Sequence, residues 1–202
     1  MHRKGTIAVP DDVDAILTRT GAYLQGHFLL SSGRHSSAYL QMALPFEHPA
    51  DGEVLARALA ERVRLRGLVP QTVVGPALGA IVPGYALASA LGCRFLFTER
   101  GSDGRMALRR GFAVTEGECL LVCENTVTTG GSVREVLEVL RVAGGNVIGV
   151  AVFGDRSPDP MTVFDVPYVA LKRVDFASWE QDNCPLCQAG VPVVSPGSRH
   201  LR

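Results

Sequence analysis

The segment Leu120-Leu121-Val122-Cys123-Glu124-Asn125-Thr126-Val127-Thr128-Thr129-Gly130-Gly131-Ser132 joins an apolar run directly to a polar tip. Four consecutive apolar residues are typical of a strand in a parallel sheet whose two faces are both covered. In open α/β sheets, ligands bind beside the carboxyl ends of such strands. The segment therefore predicts an α/β protein with a binding loop directly after a core strand.

The residues of this loop suit a phosphate group. Gly130 and Gly131 allow the backbone to approach a ligand closely, and Thr128, Thr129 and Ser132 add hydroxyl donors. A helix is predicted to begin near Ser132, because apolar residues recur with helical spacing until Gly144-Gly145, and its free N–H groups favour an anion. We expect a phosphate monoester to bind here.

An ordinary turn is the alternative interpretation of Thr-Thr-Gly-Gly-Ser taken alone. The preceding Glu124 argues against that alternative. A carboxylate beside a phosphate loop repels the phosphate, so it needs another target, such as ribose hydroxyls or a metal ion.

Strand and helix patterns alternate along the rest of the chain, which predicts a mostly parallel central sheet flanked by helices. At 202 residues, one domain accounts for the whole length, residues 1–202. The predicted helices cover residues 11–20, 49–67 and 79–91, and the predicted strands lie within residues 26–41, 72–75, 94–97, 146–153 and 166–171.

The composition excludes several function classes. Twenty basic and twenty acidic residues give no net charge, which argues against a nucleic-acid or acidic-membrane partner. No apolar run reaches the roughly 18 residues of a membrane span, and no signal-like apolar segment follows Met1. We therefore expect a cytoplasmic protein.

Five cysteines, an odd number, predict reduced thiols and not a disulfide framework. Cys184 and Cys187 have the C-x-x-C spacing of metal or redox sites, but the sequence shows no second such pair. From the sequence, a complete tetrahedral site is expected to need a partner chain, and a simple carboxy-terminal turn is the favoured alternative.

Five further segments stand out along the chain, at residues 26–36, 75–80, 108–112, 155–157 and 184–187. Their order and approximate spacing resemble those of bacterial orotate phosphoribosyltransferases, a branch of the type I phosphoribosyltransferases that use phosphoribosyl diphosphate (PRPP). The loop at 126–132 is shared by the whole superfamily, whereas the first and last of the five segments are distinctive of the orotate enzymes.

The resemblance implies a glycosyltransferase that makes orotidine 5′-monophosphate and diphosphate from orotate and PRPP in de novo pyrimidine synthesis. It assigns the 5′-phosphate to Thr126, Thr128, Thr129, Gly130, Gly131 and Ser132. It assigns the diphosphate to Ala77, Leu78, Gly79, Arg100 and Arg105, and orotate to Ser31, Thr128 and Arg156. Glu124, Asn125 and Arg100 are the expected catalytic residues.

The resemblance also implies the type I phosphoribosyltransferase fold, with a small hood formed by residues of about 21–45 and about 172–202 and a mobile loop at about 98–110. Magnesium is expected to arrive with PRPP and water, with no protein ligand assigned. A homodimer is expected, in which loop cations reach the neighbouring site.

Three positions depart from the family pattern. Asn125 replaces an aspartate, Thr126 replaces an apolar residue and Ser31 replaces a lysine, while arginines stand where the family loop often has lysine and histidine. Asn125 keeps hydrogen-bonding capacity but loses a negative charge. Weakened catalysis, a noncatalytic PRPP- or nucleotide-binding protein, and a different base are the alternatives, and a surface location is the alternative for Arg156 and the loop arginines.

Overall fold

The computed structural model describes residues 11–30, 32–157 and 164–196. The strands are β1 (Tyr23–Leu29), β2 (His35–Leu40), β3 (Thr72–Pro76), β4 (Arg94–Arg100), β5 (Met106–Leu108), β6 (Cys119–Val127), β7 (Asn146–Asp155), β8 (Tyr168–Arg173) and β9 (Ser178–Trp179). The helices are α1 (Asp11–Arg19), α2 (Pro49–Leu65), α3 (Ile81–Leu91), α4 (Gly131–Val142) and α5 (Pro185–Gln188).

The central sheet has six strands in the order β5-β4-β3-β6-β7-β8. All neighbouring pairs are parallel except β4 and β5. After β3 the chain adds β4 on one side, and later adds β6 on the other side of β3. The strand order therefore reverses between β3 and β6, and this is where open α/β sheets bind ligands.

Both faces of the sheet are buried. Leu121 and Cys123 belong to a core packed under α1, α2 and α3. Leu120 and Val122 face the opposite side, where α4 buries Val136 and other apolar residues. Consecutive apolar residues in β6 thus serve two separate cores, which is why this strand lacks an alternating pattern. The predicted α/β fold with a parallel central sheet is confirmed.

A second, three-stranded sheet of order β1-β2-β9 forms the hood. It combines the two ends of the chain, since His35 of β2 pairs with Trp179 of β9 and Phe28 bridges to Val194. The hood rests on the central sheet at Gly154, where an added Cβ would lie 2.8 Å from Leu40 Cδ2. Glycine at this position allows β2 to approach β7 closely.

Two segments contain secondary structure that the sequence analysis did not predict. Within residues 98–110, β4 extends to Arg100 and pairs with β5 on the far side of a turn. The chain beyond Cys184 begins with α5, a single helical turn. Both elements are short enough to escape periodicity arguments, and mobility of residues 98–110 stays a prediction. Ser31 and residues 197–202 of the expected hood lie outside the described residues.

Within the described parts of the chain, no helix is both long enough and apolar enough to span a bilayer.

Replacing Gly154 with alanine should lower the free energy of unfolding by about 1–3 kcal/mol, because the new methyl group overpacks the contact with Leu40. Urea denaturation measures the loss. The double variant Gly154→Ala/Leu40→Ala is the control, and its total loss should fall below the sum of the single losses by about 0.5–3 kcal/mol. Strict additivity would show that the hood does not press on Gly154.

Candidate active site

A cleft of about 990 Å³ opens between the carboxyl ends of β3 and β6. The two strands pair only as far as Val74 and Val122. Beyond that point β3 stays with β4 up to Thr98, and β6 stays with β7 up to Asp155. Because the strands part while still held by their outer neighbours, polar groups on both sides of the gap face the same space.

One wall of the cleft is the loop predicted to bind phosphate. Gly130 has φ of +74°, a conformation that favours glycine, and α4 begins at the next residue. All seven residues of the loop at 126–132 line the cleft, including the six predicted to bind the phosphate: Thr126, Thr128, Thr129, Gly130, Gly131 and Ser132. The side chain of Arg134 donates to the Thr129 carbonyl and holds the loop against α4. Amides at the start of α4, together with the hydroxyls, suit a phosphate monoester.

The opposite wall is the turn from β3 into α3. Ala77, Leu78 and Gly79 all line the cleft, and the Ala77–Leu78 peptide bond is cis. Ala77 N–H donates to the Thr98 carbonyl at 2.7 Å, which ties the turn to β4. An added Cβ on Gly79 would lie 2.8 Å from Asn125 Nδ2. The turn and the end of β6 are therefore in direct contact, with glycine required for the approach.

Glu124 is a buried carboxyl group at the base of the cleft, with 9% of its surface exposed. Burial raises its pKa to about 7, partly offset by the Asn125 N–H, which donates to Glu124 Oε1 at 2.9 Å. No ion pair with Glu124 occurs among the described residues. A carboxyl group poised to ionise near neutral pH suits a ligand that brings hydroxyl donors or positive charge.

Asn125 uses its side chain in two directions. Its Oδ1 accepts a hydrogen bond from the Thr126 N–H at 2.6 Å. Its Nδ2 faces the turn at Gly79. The amide thus shapes the end of β6 and contributes no charge beside Glu124.

Arg156 follows β7 and lies beneath the hood. The guanidinium carbon Cζ of Arg156 lies 5.1 Å from the ring centroid of Tyr39 and 5.5 Å from that of Phe176. Burial lowers its pKa. No acidic side chain among the described residues pairs with it. A partly buried cation between two aromatic rings, lining the cleft, offers a site for a planar anion.

The predicted loop cations differ in position. Arg100 lines the cleft and makes a bidentate ion pair with Glu135 at 2.8 and 2.9 Å. Arg105 lies in the turn between β4 and β5 and does not line the cleft in this structure. Arg100 is thus adjacent to the wall formed by the loop at 126–132 and α4, and Arg105 would need a movement of the turn to reach that wall.

Sequence reasoning missed several residues that line the cleft, including Tyr39, Phe46 and Glu135. Glu135 lies one helical turn after Gly131, so the predicted helix could have placed it near the loop. Tyr39 could have been found from the alternation of β2, since β2 was predicted as part of a cover. Ser31, a predicted orotate residue, is outside the described residues, although its neighbour Leu30 lines the cleft.

A sequence model of the phosphoribosyl transferase domain matches residues 46–186. The orotate phosphoribosyltransferase of Desulforamulus reducens is 47% identical over 191 residues, covering 95% of this chain and 98% of the relative. That of Thermotoga petrophila is 45% identical, covering 94% of this chain and 100% of the relative. The chain belongs to the orotate phosphoribosyltransferase family.

Solved structures agree with the family assignment. Orotate phosphoribosyltransferase from Aeropyrum pernix has a TM-score of 0.70 and 26% identity, covering 80% of this chain and 93% of that one. An adenine phosphoribosyltransferase has a TM-score of 0.63 at 16% identity, covering 80% of this chain and 99% of that one, and shows the shared fold alone. The family match spans both walls of the cleft, and the whole-length relatives also span the hood.

The raised pKa of Glu124 should make the free energy of unfolding depend on pH. The ordinary value is 4.5 and the folded value about 7, so the folded chain holds a proton that the unfolded chain releases in this range. Stability should therefore fall as pH rises from about 4.5 through about 7. Glu124→Gln removes this effect. The free energy of unfolding of the variant minus that of the wild type should therefore increase by on the order of 2–3 kcal/mol between pH 5 and pH 8.

Urea unfolding at the two pH values measures this difference. Glu138→Gln, at an exposed position of α4, is the matched control and should show no such growth. A pH-independent difference for Glu124→Gln would mean that the carboxyl group is already ionised at pH 5.

Proposed function

We propose that this protein transfers the ribose 5-phosphate group of PRPP to orotate, giving orotidine 5′-monophosphate and diphosphate in de novo pyrimidine synthesis. The observation that carries the proposal is the cleft itself, which brings together the loop at 126–132, the buried Glu124 and Arg156, a cation that pairs with no acidic side chain among the described residues. The printed names of full-length relatives at 45–47% identity support the same reaction.

PRPP would bind across the switch point between β3 and β6. Its 5′-phosphate would accept hydrogen bonds from the amides at the start of α4 and from the hydroxyls of the loop at 126–132. Its diphosphate would meet the turn at Ala77 to Gly79, with Arg100 nearby. The ribose then lies above Glu124 and Asn125, the residues between these two walls.

Orotate would bind under the hood, with its carboxylate on Arg156. The aromatic rings of Tyr39 and Phe176 hold the guanidinium in place, so less side-chain freedom is lost on binding. A base without an acidic group leaves this cation unpaired in a partly buried site, which disfavours it. The same arrangement argues for orotate over a neutral base such as adenine.

In the reaction, an orotate nitrogen bonds to the anomeric carbon as the carbon–oxygen bond to diphosphate breaks, through a state with positive charge on the ribose. The proton of that nitrogen is released to diphosphate or solvent. Glu124, once ionised, lies where it can stabilise that charge and accept hydrogen bonds from the ribose hydroxyls. No protein nucleophile is required. The hood and the turn at 101–105 would exclude water, which competes with orotate for PRPP.

Magnesium suits this site as an ion carried by the substrate. The strand end offers one carboxylate, Glu124, and the amide oxygen of Asn125, which are hard oxygen donors. Magnesium characteristically uses one or two carboxylates together with substrate phosphates and water. When bound, it would neutralise charge on the diphosphate leaving group.

We also propose a homodimer that uses the surface before and along α3. Leu78, Val82 and Tyr85 are 83%, 57% and 66% exposed, and the first two of these large apolar side chains line the cleft. Burying them against a second copy would place that copy close to the diphosphate side of the site, within reach of cations from the turn between β4 and β5.

Asn125 supports one competing function, a noncatalytic protein that binds PRPP or a nucleotide. A diphosphate-release assay with PRPP, magnesium and a panel of bases separates the two. The enzyme should release diphosphate with orotate and not with adenine or uracil. PRPP binding in calorimetry without diphosphate release from any base would favour the noncatalytic function.

Arg156→Ala should weaken orotate binding by about 10–100-fold, the loss expected for a charge-assisted hydrogen bond, and leave PRPP binding within about threefold. Initial rates with each substrate varied, together with calorimetry, measure both effects. Arg100→Ala is the matched control and should weaken PRPP binding more than orotate binding. An equal loss for both substrates in Arg156→Ala would remove Arg156 from the base site.

Asn125→Asp should raise kcat by about tenfold, because a second carboxylate stabilises the cationic transition state by roughly 1.5 kcal/mol or more. Asn125→Ala, which removes the side-chain amide without adding charge, is the control and should lower kcat. A rate for Asn125→Asp at or below wild type would show that the amide contact with Gly79 matters more than charge.

A further inference from the structure

Four metal-ligating side chains meet in the hood, away from the cleft. Their donor atoms lie within 4.8 Å of one another, and the residues are His27, His35, Cys184 and Cys187. His27 and His35 come from β1 and β2, whereas Cys184 and Cys187 come from the start of α5. The sequence-based expectation that a complete site needs a partner chain is therefore wrong, because one chain supplies all four donors.

The hydrogen bonding of His27 aims a lone pair into this cluster. His27 Nδ1 lies 2.7 Å from the Val191 carbonyl, which only accepts hydrogen bonds, so Nδ1 carries the proton. In neutral imidazole the other nitrogen, Nε2, is then unprotonated, and it faces His35 Nδ1 and both sulfurs. A ligating histidine whose second nitrogen donates to a backbone carbonyl is the usual arrangement at zinc sites.

The separations fit a tetrahedral ion. Zinc bonds of about 2.3 Å to sulfur and 2.0–2.1 Å to nitrogen imply nitrogen–sulfur edges of about 3.5 Å. The observed edges are 3.5 Å for Cys184 Sγ to His27 Nε2, 3.3 Å for Cys187 Sγ to His35 Nδ1, and 3.8 Å for Cys187 Sγ to His27 Nε2. The two histidine nitrogens, 2.7 Å apart, would part to about 3.3 Å on binding.

Burial and composition favour a closed site. Cys184, His27 and His35 are 0%, 3% and 5% exposed. Two thiolates and two imidazoles fill a tetrahedron and leave no position for water or substrate, as in structural zinc sites. Two sulfurs with two nitrogens select zinc over the harder ions magnesium and calcium.

A metal ion would add a link between distant parts of the hood. The hood is a three-stranded sheet whose third strand, β9, has two residues, so few main-chain hydrogen bonds hold that strand. The cluster joins the β1–β2 hairpin to a segment more than 150 residues later, close to the Phe28–Val194 bridge. The same hairpin carries Tyr39, which stacks on Arg156.

We propose that His27, His35, Cys184 and Cys187 bind one structural Zn²⁺, which links the β1–β2 hairpin to the segment that contains α5. On binding, the two cysteines would release their thiol protons to solvent, and two thiolates and two imidazole nitrogens would form four bonds to the ion. It would stabilise the hood over the base side of the cleft and take no part in the reaction. The proposal is independent of orotate chemistry, since it concerns metal content.

The first experiment measures metal in the full-length chain, purified without a histidine tag and without added metal. Plasma mass spectrometry should find close to one zinc per chain. Cys187→Ser should reduce zinc to below about one tenth of an equivalent, because a hydroxyl is a far weaker ligand than a thiolate. Cys93→Ser/Cys119→Ser removes two thiols outside the cluster and is the matched control, with zinc unchanged.

A second measurement does not depend on any variant folding. Wild-type protein produced with Co²⁺ in place of Zn²⁺ should show the intense visible absorption of tetrahedral cobalt and a sulfur-to-cobalt charge-transfer band. In metal-free preparations, native mass spectrometry shows whether the cysteines are reduced or joined in a disulfide.

Four results would overturn the proposal. Wild-type protein could contain less than about one tenth of a zinc per chain. Native mass could reveal a Cys184–Cys187 disulfide in place of bound metal. Cys187→Ser could retain full zinc. Stoichiometric iron in place of zinc would likewise reject the zinc assignment. None of these outcomes bears on diphosphate release, so failure here and failure of the proposed reaction are distinguishable.

Discussion

The parting of β3 and β6 beyond Val74 and Val122 is the constraint on which the site depends. Main-chain hydrogen bonds join these strands only over their first residues, and each then remains with its outer neighbour. The gap creates the cleft, brings the phosphate loop opposite the turn at Gly79, and leaves Glu124 buried without a strand partner on the β3 side. The polar groups at the two strand ends face one cleft because the backbone is arranged in this way.

The charges in the cleft are arranged for a ligand and not for the free protein. Burial raises the pKa of Glu124 and lowers the pKa of Arg156, and within the described parts of the chain neither group has an ion-pair partner of opposite charge. Each group is in the less favourable setting for its charged form. A sugar phosphate that develops positive charge and a base that carries a carboxylate would relieve both costs, and Arg100 is the cation that already has an acidic partner, Glu135.

The parts of this structure that sequence could predict are those encoded locally. The apolar run at 120–123, the glycines at 130–131 and the helical repeat through Leu140 identified β6, the loop and α4 with nearly correct limits. The hood cluster escaped because its donors come from a hairpin near the start and a turn near the end of the chain, and only the fold reveals that His27 and His35 face Cys184 and Cys187. The contacts of Tyr39 and Phe176 with Arg156 could not be predicted for the same reason, because the three residues come from distant parts of the sequence.

Because the hood is built from residues 23–40 and 178–194, its contacts have very large sequence separation. A ribosome releases the amino-terminal hairpin long before its partners exist, whereas β3, α3 and β4 can pack as soon as they emerge. We therefore expect the hood to be the last part of the described structure to assemble during synthesis. Until the final segment emerges, β2 presents an unpaired edge along Ser36, which is a point of vulnerability to misassembly in the nascent chain.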